Sequence, residues 1–214
     1  IFNNSDEECF LTELEDKIEL LKEAGISVIF LQTFDREFAS IEKSDFIKNV
    51  LVEKLQVGHI VVGRDYKFGK KAMGNVDDLI NVKDFLGFSI DICDDVEYLK
   101  RRISSTRIRE EIRLGNLKNA TAMLGRYYHI TGEITHGASR GRKLGYPTAN
   151  LECDFPYVIP KRGVYITRMK FDSSNEYTYG MTNIGTNPTF EISNIDKIET
   201  HLFDFSENIY GKKA

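Results

Sequence analysis

Only four prolines, three cysteines and four histidines occur among the 214 residues, and no low-complexity run. With 41% hydrophobic and 29% charged residues, that scarcity of breakers describes a folded globular chain rather than a disordered or fibrous one. No stretch reaches the ~18 consecutive apolar residues that a membrane span needs. Cys9, Cys93 and Cys153 are odd in number, far apart and never in C-x-x-C spacing. This argues against a disulfide framework or a zinc site, and a reducing cytoplasm fits best. His59, His129, His136 and His201 never pair at i, i+4 with a third ligand nearby, which argues against a transition-metal centre. Nor is there an excess of positive charge. Lys plus Arg is 29 against 33 for Asp plus Glu, a net −4, so the chain carries no global basic field for nucleic acid and any anion site must be local. No basic-then-apolar signal segment follows Ile1, and a start other than Met leads to the expectation of a fragment.

What is present is a change of pattern along the chain. Thr12-Glu13-Leu14-Glu15 reads as a capping box, predicting a helix through Leu14, Ile18 and Leu21 that stops at Gly25. Ile26–Leu31 reads as a buried strand, Ser44 as the cap of a second helix carrying Phe46, Val50 and Leu51, and His59–Val62 as a second buried strand ending at Gly63. A helix over about 76–86 and a strand over Phe88–Ile92 repeat the alternation, which predicts a parallel sheet with helices on its faces. Helical segments at Thr106–Leu114 and Leu117–Leu124 close this first domain. Past about residue 125 the pattern becomes short alternating runs at Tyr128–Ile134, Gly163–Phe171, Tyr177–Thr182 and Ile198–Phe205. These predict a small barrel or sandwich, with the boundary near Gly125–Tyr128.

Four segments could carry chemistry. Val62-Gly63-Arg64-Asp65-Tyr66-Lys67-Phe68-Gly69 lies past a parallel strand, where open α/β sheets bind ligands and where glycines admit a ligand to the backbone; an ordinary polar loop is the alternative. Ser104-Ser105-Thr106 directly precedes a helix bearing Arg107 and Arg109, an arrangement that serves either as an anion site at the helix dipole or simply as an N-cap with a basic face. His136–Asn150 holds three glycines, three basic residues and no acid, which suits a polyphosphate, or a basic hairpin tip. At its end, Thr148 and Asn150 would face the same way on an extended segment and could offer two oxygens to one hard cation such as magnesium. The order G-x-x-x-x-G-K-[ST] of a P-loop is absent. Finally, alternation puts Glu199 on the face of His201 and opposite Ile198, Thr200 and Leu202, where it is either an exposed strand carboxylate or a proton acceptor for phosphoryl transfer.

Together with Pro160-Lys161-Arg162-Gly163-Val164-Tyr165, Asn183-Ile184-Gly185-Thr186-Asn187-Pro188-Thr189-Phe190 and Glu199-Thr200-His201-Leu202-Phe203-Asp204-Phe205, these stretches resemble the bacterial bifunctional riboflavin kinase/FMN adenylyltransferase (FAD synthetase) family through nearly the whole chain. The resemblance implies a Rossmann-like nucleotidylyltransferase domain (1–125) that adenylylates FMN, followed by an all-β riboflavin kinase barrel (126–214) of six strands. It implies ATP and riboflavin or FMN as substrates and magnesium as cofactor. Ser104, Ser105, Thr106 and Arg109 would hold ATP phosphates, with Gly63, Asp65 and Phe68 bordering the nucleotide and flavin. In the barrel, Gly141, Lys143 and Gly145 would serve the nucleotide, Thr148 and Asn150 would hold magnesium and ATP, and Glu199 would be the base. The family's H-x-G-H segment occurs nowhere in this chain and its closing helix has no counterpart before Ala214, so the expectation is of a partial first domain and a barrel without that helix. A flavin-binding regulatory remnant without adenylyl transfer stays open beside the enzyme. A nucleic-acid-binding barrel using Arg140–Lys143 is disfavoured by the acidic balance.

Overall fold

A computed structural model of the protein describes residues 9–136, 148–172, 174, 176–186 and 196–214. In chain order the elements are α1 (Leu14–Glu23), α2 (Arg36–Ala39), α3 (Lys43–Asp45) with a π-helical continuation (Phe46–Lys54), β1 (His59–Gly63), a 3₁₀ turn (Lys70–Ala72), α4 (Val76–Leu86) and β2 (Ser89–Cys93). There follow β3 (Glu97–Tyr98), β4 (Arg101–Arg102), α5 (Ser105–Arg113), α6 (Leu117–Leu124), β5 (Glu133–Thr135), β6 (Ala149–Glu152), β7 (Gly163–Lys170), β8 (Tyr177–Gly185) and β9 (Lys197–Leu202). They divide into two units. One is Gly25–Ile103; the other joins the stretch up to Ala24 with Ser104–Ala214.

In the first unit β1 and β2 pair in parallel, His59 against Ser89 through Gly63 against Cys93, with α4 as the helix between them. The start of α4 is locally encoded: the Asn75 side chain accepts from the amides of Asp77 and Asp78, and the Asp78 carboxylate accepts from the Asn75 amide. Gly87, at φ +78°, ends it. Ile47, Ile60, Phe68, Leu79 and Phe88 form the core. The expected parallel β-α-β alternation is therefore there, with three corrections. Ile26–Leu31 is not a buried strand. It has no ladder partner among the described residues, and Val28 and Phe30 are 66% and 74% exposed. An apolar, β-branched run becomes a strand only when another backbone takes its hydrogen bonds. Ser44 is not a cap either, since α3 begins at Lys43 behind Glu42. In β1 only Ile60 is buried while Val61 is exposed, because a sheet covered on one face buries alternate residues.

The second unit is built on an antiparallel, barrel-like sheet of five described strands in the order β5-β6-β9-β8-β7. The outer edge of β5 is taken by the chain's last residues. Gly211 N–H donates to Ile134 O (2.8 Å), Ile134 N–H to Lys212 O (2.9 Å), and Gly132 and Ala214 exchange bonds. Alternate residues point inward, so that Ile134, Ala149 and Leu202 join Phe171 and Ile209 in a core. Strand limits shift from the sequence expectation: β5 keeps only the end of Tyr128–Ile134, and β8 runs on past Thr182 to Gly185. Tyr128 leaves the strand and donates its hydroxyl to Val158 O at 2.9 Å. The expected capping box at Thr12 also fails. Glu13 is the N-cap, without a side-chain bond, and the Thr12 hydroxyl instead accepts from Arg126 Nη2 at 3.0 Å.

The two compact units part at residues 24/25 and 103/104. Backbone bonds join the segments of the second unit. Phe10 N–H donates to Pro156 O, Val158 N–H to Phe10 O, and Lys161 N–H to Ile112 O, tying the N-terminal stretch and α5 to the sheet's own connections.

Burial within α4 yields a paired expectation. Leu79 is fully buried and Phe85 is 91% exposed. Leu79→Ala should lower the stability of its unit by about 2–5 kcal/mol, whereas Phe85→Ala, on the same helix, should change it by less than about 0.5 kcal/mol. Denaturant unfolding of the two variants checks this.

Candidate active site

The antiparallel pairings bring one row of side chains across the sheet. Asn150 on β6 lies opposite Glu199 on β9, and Glu199 lies opposite Asn183 on β8; Thr135 of β5 and Val164 of β7 extend the row at either end. Directly opposed residues share a face, with Cβ atoms about 4.5–5.5 Å apart. This is the face away from the core, for Ile198, Thr200 and Leu202 on β9 are buried while Glu199 and His201 are partly exposed, as their alternation predicts. Ala149 is buried too, which turns Thr148 and Asn150 outward together. A carboxylate is thus flanked by two carboxamides on rigid strands. Among the described residues it has no hydrogen-bond or ion-pair partner.

Beneath the row runs a ladder of hydroxyls that sequence reading did not find. Thr167, Thr182 and Thr200 lie on β7, β8 and β9 and connect at 2.7 and 2.8 Å, with Thr182 and Thr200 buried. Each hydroxyl satisfies the next, which is how polar groups are tolerated in that interior. Gly180 is required nearby, because a Cβ there would stand 2.6 Å from His201 O. Asn183, quoted above only within a stretch that carries the resemblance, likewise has no role in the sequence reading. Its signal was present in the alternation of β8, where buried Thr182 and Ile184 bracket it, but the strand was expected to stop at Thr182.

Gly141, Lys143 and Gly145 lie outside the described residues. The remaining expected residues are divided between the units. In Gly25–Ile103, Gly63 ends β1 and Asp65 stands just past it, both exposed, where Tyr66 N–H closes a turn on Gly63 O. Asp65 accepts from Arg102 at 2.5 Å, a bond that holds its carboxyl below the usual carboxylate range, and Arg102 also reaches Asp95 at 3.1 Å. Phe68 is a core residue, stacked on Phe46 and Tyr66 with ring centres 5.3 and 5.6 Å away. Gly69, at φ +70°, brings that loop against the Lys43 backbone, where a Cβ would meet Lys43 Cα at 2.8 Å. In the other unit, Ser104 is the N-cap of α5 and accepts from Arg107 N–H at 3.3 Å, with Ser105 and Thr106 exposed in the first turn. Arg107 is buried rather than solvated, and Arg109 Nε donates to Cys9 O at 2.9 Å.

The chain thus contains a parallel β-α-β unit and an antiparallel sheet that presents a carboxylate on one face. Residues 1–107 match the family model for FAD synthetase, and residues 124–214 that for riboflavin kinase. The chain is similar to the bifunctional riboflavin kinase/FMN adenylyltransferase of Listeria monocytogenes, 39% identical over 96% of this chain and 64% of that protein. It is also similar to the protein of that name from Buchnera aphidicola subsp. Schizaphis graminum, 33% identical over 99% of this chain and 68% of that protein. A solved structure from Streptococcus pneumoniae, described as a macrolide-efflux protein, superposes with a TM-score of 0.85 at 33% identity, over 96% of this chain and 65% of that one. The chain belongs to the bifunctional riboflavin kinase/FMN adenylyltransferase family. It spans 64% of the length of the Listeria relative.

The hydroxyl ladder can be tested directly. Thr182→Val keeps the shape but leaves the Thr200 hydroxyl without its partner, and should cost about 1–3 kcal/mol of unfolding free energy. Thr167→Val, at the ladder's end and less buried, should cost less.

Proposed function

We propose that the chain makes flavin nucleotides from ATP. The antiparallel sheet phosphorylates riboflavin to FMN, and the α/β portion adenylylates FMN to FAD, the two activities that name its relatives. Residues 126–214 would form the kinase and 1–125 the adenylyltransferase. The observation that carries the kinase reading is the register that sets a carboxylate without a described partner, Glu199, against Asn150.

In this reading Glu199 takes the proton of the riboflavin 5′-hydroxyl as that oxygen attacks the γ-phosphorus; the bond to the bridging oxygen breaks and ADP leaves. Thr148 and Asn150 offer a hydroxyl and a carboxamide oxygen on one outward face, hard donors that suit magnesium. When bound, magnesium neutralises phosphate charge. Gly141, Lys143 and Gly145, in the basic segment that directly precedes Thr148, would serve the nucleotide. Toward adenylyl transfer, Ser104, Ser105, Thr106 and Arg109 would take phosphates at the start of α5; within the unit Gly25–Ile103, Gly63 and Asp65 would border nucleotide or flavin, with Phe68 supporting that loop from the core. The thiol content and acidic balance favour work in the cytoplasm on small molecules and not on nucleic acid. Among the described residues no helix is long and apolar enough to cross a membrane. A binding-only remnant would leave Glu199 without a task.

Glu199→Gln keeps the shape but cannot take a proton. It should lower riboflavin phosphorylation by about 10²–10⁴-fold with flavin binding, read by fluorescence quenching, nearly unchanged. Near-normal turnover would remove Glu199 from the chemistry. Thr148→Ala should instead raise KM for magnesium–ATP, a defect that shrinks at high ATP and magnesium.

A further inference from the structure

The row across the sheet has a direction. Thr148 and Asn150, the nucleotide end in the reading above, stand on one side of Glu199, and the basic segment 137–147 runs directly into them in sequence. An in-line phosphoryl transfer places the attacking and leaving oxygens on opposite sides of phosphorus. With the triphosphate on the β6 side of Glu199, the acceptor must extend over the β8 side. The first residue met there is Asn183, directly opposite Glu199 and exposed, held outward between buried Thr182 and Ile184. Beyond it the same face turns apolar. Val164 lies opposite Asn183, and Ile166 lies opposite Met181, at 63%, 76% and 44% exposure for Val164, Ile166 and Met181. Going outward from the carboxylate, the face therefore offers a carboxamide and then apolar surface. An acceptor made of a hydroxylated chain ending in an aromatic ring system has the same order of polarity when its terminal hydroxyl sits at Glu199.

Resting on the kinase reading, we infer that Asn183 binds the hydroxyls of the acceptor's polyol chain adjacent to the one that is phosphorylated. Its carboxamide both donates and accepts, which suits hydroxyls that do the same. Asn183 thereby sets the preference for a flavin bearing a polyol chain over one without it. It touches neither the nucleotide nor the transferred proton.

Binding is the direct test, because it does not depend on turnover. Riboflavin and lumiflavin share the ring system, but lumiflavin lacks the polyol, and both are followed by fluorescence quenching on the full chain. The wild type should bind riboflavin more tightly than lumiflavin. Asn183→Ala should weaken riboflavin roughly tenfold, the worth of one or two hydrogen bonds, and leave lumiflavin unchanged. Asn183→Leu, close in size and apolar, should give the same loss of preference, so poor folding of one variant does not decide the result. KM for ATP should stay at the wild-type value in both. If either folded variant keeps the wild-type preference for riboflavin, or loses both flavins equally, the assignment of Asn183 is wrong while the kinase reading stands. A wild type that binds neither flavin would overturn the kinase reading and this assignment with it.

Discussion

β9 lies between β6 and β8 in a register that leaves Glu199, Asn150 and Asn183 on the solvent side while Ile198, Thr200 and Leu202 fill the core. Side chains alternate with a period of two, so a slip of one residue would drive the carboxylate into an apolar interior and push three core residues into water. The buried threonine ladder opposes such a slip from within, because its hydroxyls meet only when β7, β8 and β9 keep their alignment. The same alignment composes the candidate site. Chemistry on the outer face is therefore held in place by packing on the inner one.

The edges of the sheet follow from the same need to satisfy backbone groups. An open β5 would present a row of unpaired amides and carbonyls, and the last four residues cover it. The stretch Cys9–Phe10 does comparable work elsewhere, accepting from Arg109 through the Cys9 carbonyl and exchanging backbone bonds with Pro156 and Val158. These long-range bonds tie the N-terminal stretch and α5 into one unit with the sheet.

In the unit Gly25–Ile103 the loop after β1 combines a rigid base with a charged rim. Phe68 is stacked into the core and Gly69 passes tightly over Lys43, so the loop is anchored from below. Above, Arg102 gathers Asp65 and Asp95, and Arg64 pairs with Asp94 at 2.6 Å. These pairs are solvent-exposed and add little stability. Their consequence is orientation, since they aim side chains past the end of a parallel strand, where α/β sheets receive ligands.

Much was legible in the residues themselves. The span of α4, the parallel neighbours β1 and β2, the helices near 105–124 and the inward and outward alternation of β9 all follow from local periodicity and end signals acting within a few residues. The outward placement of Thr148, Asn150 and Glu199 belongs to the same class. What local pattern could not supply was the partner. Ile26–Leu31 has the composition of a strand but no described neighbour to pair with, and Thr12 has the chemistry of a cap but a hydroxyl engaged by Arg126, more than a hundred positions away. Asn183 lies just past the expected strand Tyr177–Thr182, and it comes to face Glu199 only because β8 pairs with β9 at that register. Sequence by itself determined which face each residue of an element would present. Tertiary structure decided which faces met, because strand pairing and side-chain partnership depend on groups that the chain brings together only when it folds.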